Sequence, residues 1–559
     1  MKLIKATPKL IFGLILIAGS VIVGLMIPLT LKAIVDGGSN FNMTNGLQLL
    51  GLFILQAALM GLGSFLVSTN GEGIIRDLRI RLNQHLVYLP QTYFDKENSG
   101  DIVSRLMNDS QQIRTFVTKS FPNLVMGVLT IVLSLIALIK LDWKMTLAMV
   151  IIFPVMLLLT LPISKFAFQF SQKLQESLGK LTNQLVRTYG NIAYIKTSTA
   201  EDEVIEDFEE ESKKSYDMAV KTNLVEAFSQ PIGISVLFCA ITLIFAYGGY
   251  RVSQGEITVG TLMSFLVFTL QLLNPLGGFF AQVSDYSRMK GALTKIGEIL
   301  DQVPEDQAQG RAYQAGTIEW QGVHFAYQDQ PIIQGIDLKV DPGQHLAVVG
   351  PSGSGKSTLA KLLLRLYPLN QGQIMIGGQD LAQIQLADLR RKIAYVSQES
   401  FTIAETIREN LCFGLVREVS DQELMEVLTK VGFTKDLQRM IQGLDSPVGE
   451  NGALLSGGQK QRLAIAQALL REASVIIFDE ATANLDADNE TLVMDVIRQL
   501  SKDKIVMIIA HRLSTVVNAD QIIFLEEGQI SGQGNHQALY ASHEAYHRYV
   551  DEQMIPQGE

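Results

Sequence analysis

Cysteine is almost absent: there are two in 559 residues, Cys239 inside an apolar run and Cys412 outside it. Two thiols cannot make a disulfide framework, so packing alone must hold this chain together, and the pair suits a reducing cytosol around the part that carries Cys412. A basic excess is missing as well. Lys and Arg number 46 against 56 Asp and Glu, a formal net charge of −10. A protein that neutralises nucleic-acid phosphates needs a basic face, so nucleic acid is not an expected partner. Charge of either sign is sparse, at 18% of residues against 47% hydrophobic. The shortage is uneven: up to about Ser284 long stretches carry no charge, whereas from about Thr317 the chain reads as a soluble α/β domain.

What the uncharged stretches do have is length. Six runs, Leu10–Leu31, Gly46–Gly71, Ser120–Ile139, Met145–Ser164, Ala227–Tyr250 and Ile257–Ser284, approach or exceed the roughly 20 residues a helix needs to cross a bilayer. The first follows "MKLIKATPK" but is too long for a secretory signal and lacks a small-residue cleavage pattern, so it reads as a retained span. The connection from Gly71 to Lys119 carries Arg76, Arg79, Arg81, Lys96, Arg105, Arg114 and Lys119, and Lys165–Lys221 is also basic, while Val35–Asn45 has no Lys or Arg. Positive charge gathers on the cytoplasmic side, which puts the amino terminus, both long loops and the second half of the chain in the cytosol. The loops "IIRDLRIRLNQHLVYLP" and "SQKLQESLGKLTNQLVRTYGNIAYIK" keep helical apolar spacing, so the spans are predicted to continue beyond the bilayer. The turns around "KENSGDIVSRL" and "STAEDEVI" then become expected contact points with the soluble half. Within the spans, Gln56, Gln271 and Asn274 either touch a substrate or bond neighbouring helices.

The segment "DQVPEDQAQGRAYQAG", residues 301–316, separates a membrane domain over 1–300 from a second domain over 317–559. There the strand "HLAVVG" runs into "GPSGSGKST" and the helix "LAKLLLRLY", the strand–loop–helix context of a phosphate loop. Gly350, Gly353 and Gly355, with Pro351, Ser352 and Ser354 between them and Thr358 at the loop's end, let backbone N–H groups wrap phosphates. Lys356 supplies a charge at the β and γ phosphates and Ser357 a hydroxyl for Mg²⁺, and the helix dipole adds to the attraction. ATP and Mg²⁺ are the expected ligands. In "SVIIFDE" a continuous apolar strand, of the kind buried in parallel sheets, ends in Asp479, a second Mg²⁺ ligand, and Glu480, placed to act as base toward a water attacking the γ phosphate.

"LLSGGQKQRLAIAQALL", followed by "VIIFDEATANLD", resembles the signature helix of the ABC transporter ATPases. With six spans before it, nearly the whole chain resembles an exporter-type half-transporter of the multidrug or lipid exporter subfamily. The resemblance implies an all-α six-helix transmembrane domain joined to an α/β phosphate-loop ATPase domain. It implies that Tyr327 stacks on adenine, that Gln398 reaches Mg²⁺ and the attacking water, and that His511 contacts the γ phosphate. It also implies that Ser456, Gly457, Gly458 and Gln459, with the dipole of a helix beginning near Gln459, complete the nucleotide site of a second ATPase domain paired head to tail. "SPVGENGALLSGGQ" resembles the exporter segment that places Glu450 near the membrane-domain turns. Two positions depart from the family pattern: Ala483–Asn484 stand where a serine and an alanine are more common, and Gln467 where an arginine is often seen. Communication between paired sites is what the first departure puts in doubt.

Both halves of the composite site lie in one chain, so a homodimer suffices, with a related half-transporter as the alternative partner. The expected function is ATP-driven export of a hydrophobic or amphipathic cargo by alternating access across a bacterial plasma membrane, with the ATPase domain cytosolic. A lipid or peptide cargo, a heterodimer and an ATP-gated channel are the alternatives. ABC ATPases that act on DNA or ribosomes lack spans and are excluded. The chain starts about nine residues before its first span, which disfavours exporters that process their cargo with an amino-terminal peptidase domain.

Overall fold

The structure, a computed structural model, describes residues 7–37, 43–398, 400–481, 487–500, 502–510 and 512–554. The chain forms two compact units, Met1–Gln84 with Ile102–Asp301, and His85–Asp101 with Gln302–Glu559.

Apolar runs that long can satisfy their backbone groups in lipid only as helices, and each of the six falls in one long helix, the last run starting two residues ahead of its helix. These are α1 (Pro8–Asp36), α2 (Met43–Val87), α3 (Ser99–Leu141, continuous through two π-helical turns), α4 (Trp143–Gly190), α5 (Glu201–Ser253) and α6 (Val259–Leu300). Among the described residues, α1, α2 and α3 are long and apolar enough to cross a membrane. At about 1.5 Å per residue, α4 with 48 residues and α5 with 53 are more than twice as long as a roughly 30 Å hydrocarbon core is thick, so they extend well past it. Polar caps mark where helices begin. Asp142 accepts from the Met145 N–H at 2.7 Å and Thr258 from the Thr261 N–H at 3.1 Å, each satisfying a donor that the first turn leaves free.

Small residues and a few polar bonds join the helices. Gly13 of α1 and Gly63 of α2 face each other so closely that a Cβ on Gly63 would lie 2.9 Å from the Gly13 carbonyl. Pro28 sits inside α1 and has no N–H, so the Gly24 carbonyl loses its helical partner; Gln271 of α6 donates to that carbonyl at 3.1 Å. Ser264 donates to the Pro28 carbonyl at 2.6 Å, and Asp36 accepts from the Gly260 N–H at 3.0 Å. Gln271 is thus a bond between helices. The Asn274 side chain lies outside the described residues. At the helix turns, Arg251 forms ion pairs with Asp142 at 2.5 Å and Glu256 at 2.7 Å.

Among its described residues the second unit contains ten strands: β1 (Ile318–Tyr327), β2 (Gln330–Val340), β3 (His345–Val349), β4 (Gln371–Ile376), β5 (Gln379–Asp380), β6 (Ile393–Val396), β7 (Val475–Asp479), β8 (Ile505–Ile509), β9 (Gln521–Glu526) and β10 (Gln529–Gly534). Six of them form a sheet in the order β10-β9-β3-β8-β7-β6, parallel except for β10, and β2-β1-β4-β5 form an antiparallel sheet. Every residue of β3, β7 and β8 is buried, as strands covered on both faces must be. Alternation along β3 sends Ala347 and Val349 into one core with Phe433, Leu463 and Phe478, and Leu346 and Val348 into another with Trp320, Leu359 and Ile477. The helices α7 (Lys356–Leu363) and α8 (Gly457–Leu470) each contribute to one of these cores.

Residues 85–101 pack with this unit, although the chain reaches them from α2. The Tyr88 carbonyl accepts from the Glu305 N–H at 2.7 Å, and Glu305 is held by Arg390 through bonds of 2.6 and 2.8 Å. Asp95 accepts from the Tyr367 hydroxyl at 2.7 Å.

Candidate nucleotide site

β3 leads into the loop 350–355, which turns into α7 by using backbone that only glycine adopts freely. Gly350, Gly353 and Gly355 have φ of +148°, +82° and +102°. A Cβ on Gly350 would lie 2.1 Å from the Leu525 carbonyl, so a side chain there is excluded by space as well as by φ. Pro351, Ser352 and Gly353 are exposed, while Ser354, Lys356 and Thr358 are buried. The Lys356 ammonium donates to the Gly350 carbonyl at 2.8 Å and the Pro351 carbonyl at 2.9 Å. Burial pulls its pKa below the ordinary lysine value, opposed by the Glu480 and Asp479 carboxylates. The buried Ser354 hydroxyl has no hydrogen-bond partner among the described residues.

The carboxyl end of β7 brings the acidic pair to the same place. Ser357 donates to Asp479 Oδ1 at 3.0 Å, and Asp479 is only 4% exposed. Tyr395, on the neighbouring strand β6, donates to Asp479 Oδ2 at 2.7 Å. Glu480 follows in the left-handed region with φ of +53°; its N–H donates to the Ile509 carbonyl at 3.0 Å, and its own carbonyl accepts from Gln461 at 3.2 Å. Gln398, just beyond β6, donates to Glu480 Oε2 at 2.6 Å. Lys356, Ser357, Gln398, Asp479 and Glu480 therefore converge from three sequence regions at one end of the parallel sheet, the end where ligands bind open α/β sheets. Hydroxyl, carboxylate and amide oxygens are the donor set of a hard cation such as Mg²⁺.

Tyr327 ends β1 and meets Phe325 and Tyr367 edge-on, with ring centroids 4.8 and 5.0 Å away. A Cβ on Gly355 would lie 2.7 Å from Ile333 of β2, so the β1–β2 hairpin abuts the phosphate loop. α8 begins at Gly457, two residues earlier than the expected start near Gln459. Ser456 is its cap: the hydroxyl accepts from the Gln459 N–H at 3.3 Å, and Gln459 Oε1 accepts from the Ser456 N–H at 2.8 Å. The spacing Ser-x-x-Gln is a capping box that the sequence displays and that the reading above passed over. Ser456 and Gly457 are exposed, Gly458 and Gln459 partly so, and Gln459 also donates to Asp436 at 2.9 Å. Gln467 donates to the Phe413 carbonyl at 3.1 Å. His511 and the Ala483–Asn484 pair lie outside the described residues. Sequence reasoning also missed Tyr395 and Tyr367, whose only signal was a polar-tipped aromatic within apolar segments.

Residues 10–276 match the family described as the ABC transporter transmembrane region, and residues 333–483 the family described as ABC transporter. A multidrug resistance ABC transporter ATP-binding and permease protein of Lactococcus lactis subsp. lactis is 34% identical over 99% of this chain and 95% of its own length. An ATP-dependent lipid A-core flippase of Nitrosococcus oceani is 32% identical over 89% of this chain and 84% of its own. Among solved structures, a bacterial Atm1-family ABC exporter with ATP bound superposes with a TM-score of 0.81 at 25% identity, covering 99% of both chains.

Proposed function

This chain belongs to the ABC transporter family, and on that premise we propose that it is a half-transporter that pairs with a second copy of itself to export a hydrophobic or amphipathic molecule. It is a multi-pass membrane protein whose ATP hydrolysis drives export. The observation that carries the reading is the joining of Gln398 to Glu480 at 2.6 Å beside Ser357 and Asp479 at 3.0 Å, in a chain whose other unit is built of long apolar helices. The likeness to a multidrug transporter and to a lipid flippase supports a greasy cargo. The basic loops support a cytosolic ATPase domain in a bacterial plasma membrane. We divide the chain into a membrane domain over 1–300, a linker over 301–316 and an ATPase domain over 317–559.

In this mechanism Tyr327 stacks on adenine, and the N–H groups of 350–355 surround the phosphates. The Lys356 ammonium exchanges the carbonyls of Gly350 and Pro351 for β- and γ-phosphate oxygens, and Thr358 follows in the first turn of α7. Ser357, Asp479 and Gln398 would hold Mg²⁺, which neutralises charge on those phosphates. Gln398 orients the attacking water, Glu480 takes its proton, and His511 contacts the γ phosphate. Ser456, Gly457, Gly458 and Gln459 close over the nucleotide of the second copy. Moving an open–closed equilibrium from 1:99 to 99:1 needs about 5.5 kcal/mol of differential binding. Two nucleotides can supply it through charge-assisted hydrogen bonds of about 1.5–3 kcal/mol each. The contact of Tyr327 with Tyr367, and the bond from Tyr367 to Asp95, give adenine binding a route to the turn at 85–101.

The test is ATP turnover of the chain in lipid nanodiscs, wild type beside Glu480→Gln, across amphipathic drugs, lipids and peptides. Loss of the base is expected to lower turnover about 10²–10⁴-fold while ATP binding persists, and one compound class should stimulate the wild type. Full turnover by the variant would overturn the assignment of Glu480. Absence of turnover from folded wild-type chain would overturn the homodimer.

A further inference from the structure

The geometry points to Tyr395 as a positioning residue for the metal carboxylate: its hydroxyl holds one oxygen of Asp479 so that the other faces Ser357 and the cation. The inference rests on the ATPase function proposed above and adds to it a residue that takes no part in the phosphate loop or the acidic pair. A carboxylate at a strand end turns about its terminal torsion with little preference. Asp479 is almost fully buried beside the ammonium-bearing loop, and an unrestrained carboxylate there could rotate toward Lys356. The structure instead fixes both oxygens separately, Oδ1 by the Ser357 hydroxyl at 3.0 Å and Oδ2 by the Tyr395 hydroxyl at 2.7 Å. Tyr395 is itself well placed for the task. It lies on β6, whose register pairs Tyr395 with Ile477 two residues before Asp479 on β7, and its ring packs partly buried against the core of Val348, Ile477 and Ile509. A rigid strand therefore aims the phenol, which no loop motion is needed to deliver.

Were Ser357 to turn its hydroxyl to a bound cation, the Tyr395 bond would be the one left to set the plane of the carboxylate. Partners of this outer kind, which bond a ligand and not the metal, typically govern metal affinity by about 10–100-fold. The prediction separates this role from simple packing. Binding of a fluorescent ATP analogue is measured in nanodiscs, on a Glu480→Gln background that suppresses turnover, with Mg²⁺ titrated from zero. Tyr395→Phe is expected to raise the Mg²⁺ concentration for half-maximal metal-dependent binding about tenfold. Binding measured with excess chelator should stay unchanged, and this metal-free signal also reports that the variant is folded. Direct Mn²⁺ binding followed by electron paramagnetic resonance should weaken by the same factor. An unchanged Mg²⁺ midpoint would overturn the positioning role and leave the ATPase assignment intact. An equal loss of metal-free and metal-dependent binding would overturn it too, since Tyr395 would then serve the pocket as a whole. A parent chain whose nucleotide binding ignores Mg²⁺ altogether would remove the metal site and the role with it.

Discussion

Glu480 occupies backbone space that L-residues other than Asn and Asp avoid, at a cost of roughly 1–2 kcal/mol. Its surroundings hold it there: the N–H reaches the Ile509 carbonyl, and the Glu480 carbonyl is met by Gln461. Strain of this kind persists where neighbouring structure over-determines the conformation, and it gathers at active sites. Glu480→Gln and Glu480→Asn both remove the carboxylate, but only asparagine tolerates the left-handed turn. Glu480→Asn should therefore be the more stable by about 1 kcal/mol, seen as a thermal midpoint a few degrees higher with turnover lost in both. Equal midpoints would mean that the turn carries no strain. None of this was legible in "VIIFDE". The letters announce a buried strand and two acids, because those depend on local composition. The φ of Glu480, and the phenol of Tyr395 against Asp479, depend on which strands become neighbours, and residues 395 and 479 are far apart in the chain.

At the scale of elements, apolar length alone located the six long helices, and the caps Asp142 and Thr258 mark two of their starts. What apolar length does not reveal is how the helices recognise one another when lipid is as apolar as leucine. The α1–α6 pair does so through defects. Pro28 frees a carbonyl at Gly24, and Gln271 arrives from α6 to bond it. Replacing Gln271 by leucine should cost about 0.6 kcal/mol and no more than about 1.7 kcal/mol, the mean and the maximum found for such bonds in a membrane. In a Pro28→Ala background the restored N–H satisfies Gly24 from within α1, and the same Gln271→Leu change should cost close to nothing. Unfolding of the four proteins of this cycle in mixed micelles gives the coupling; additive effects would show that the proline and the glutamine act independently. The sequence left Gln271 poised between substrate contact and helix bond, because polarity within a span is common to both.

For the whole molecule, the signature turn is exposed at Ser456 and Gly457, and in the homodimer proposed above a two-fold axis would carry it to the phosphate loop of the second copy. Complementation tests the arrangement directly. Lys356→Ala spoils the phosphate loop and Ser456→Arg the signature, and on a Glu480→Gln background neither variant alone should trap nucleotide. Co-expressed in equal amounts, they form mixed dimers with one intact site each. Random pairing should then restore trapped nucleotide to about a quarter of the parental amount; no recovery would show that each chain closes its own site. The wiring of the two units carries a further consequence. The backbone passes from one unit to the other after Gln84, returns after Asp101 and leaves again after Asp301. Severing the linker between residues 302 and 316 would therefore leave residues 85–101, still covalently joined to the first unit, to hold the rest of the second unit by packing and hydrogen bonds alone. A fragment cut to residues 317–559 would lack a piece of its own fold, leaving the Tyr367 hydroxyl without Asp95.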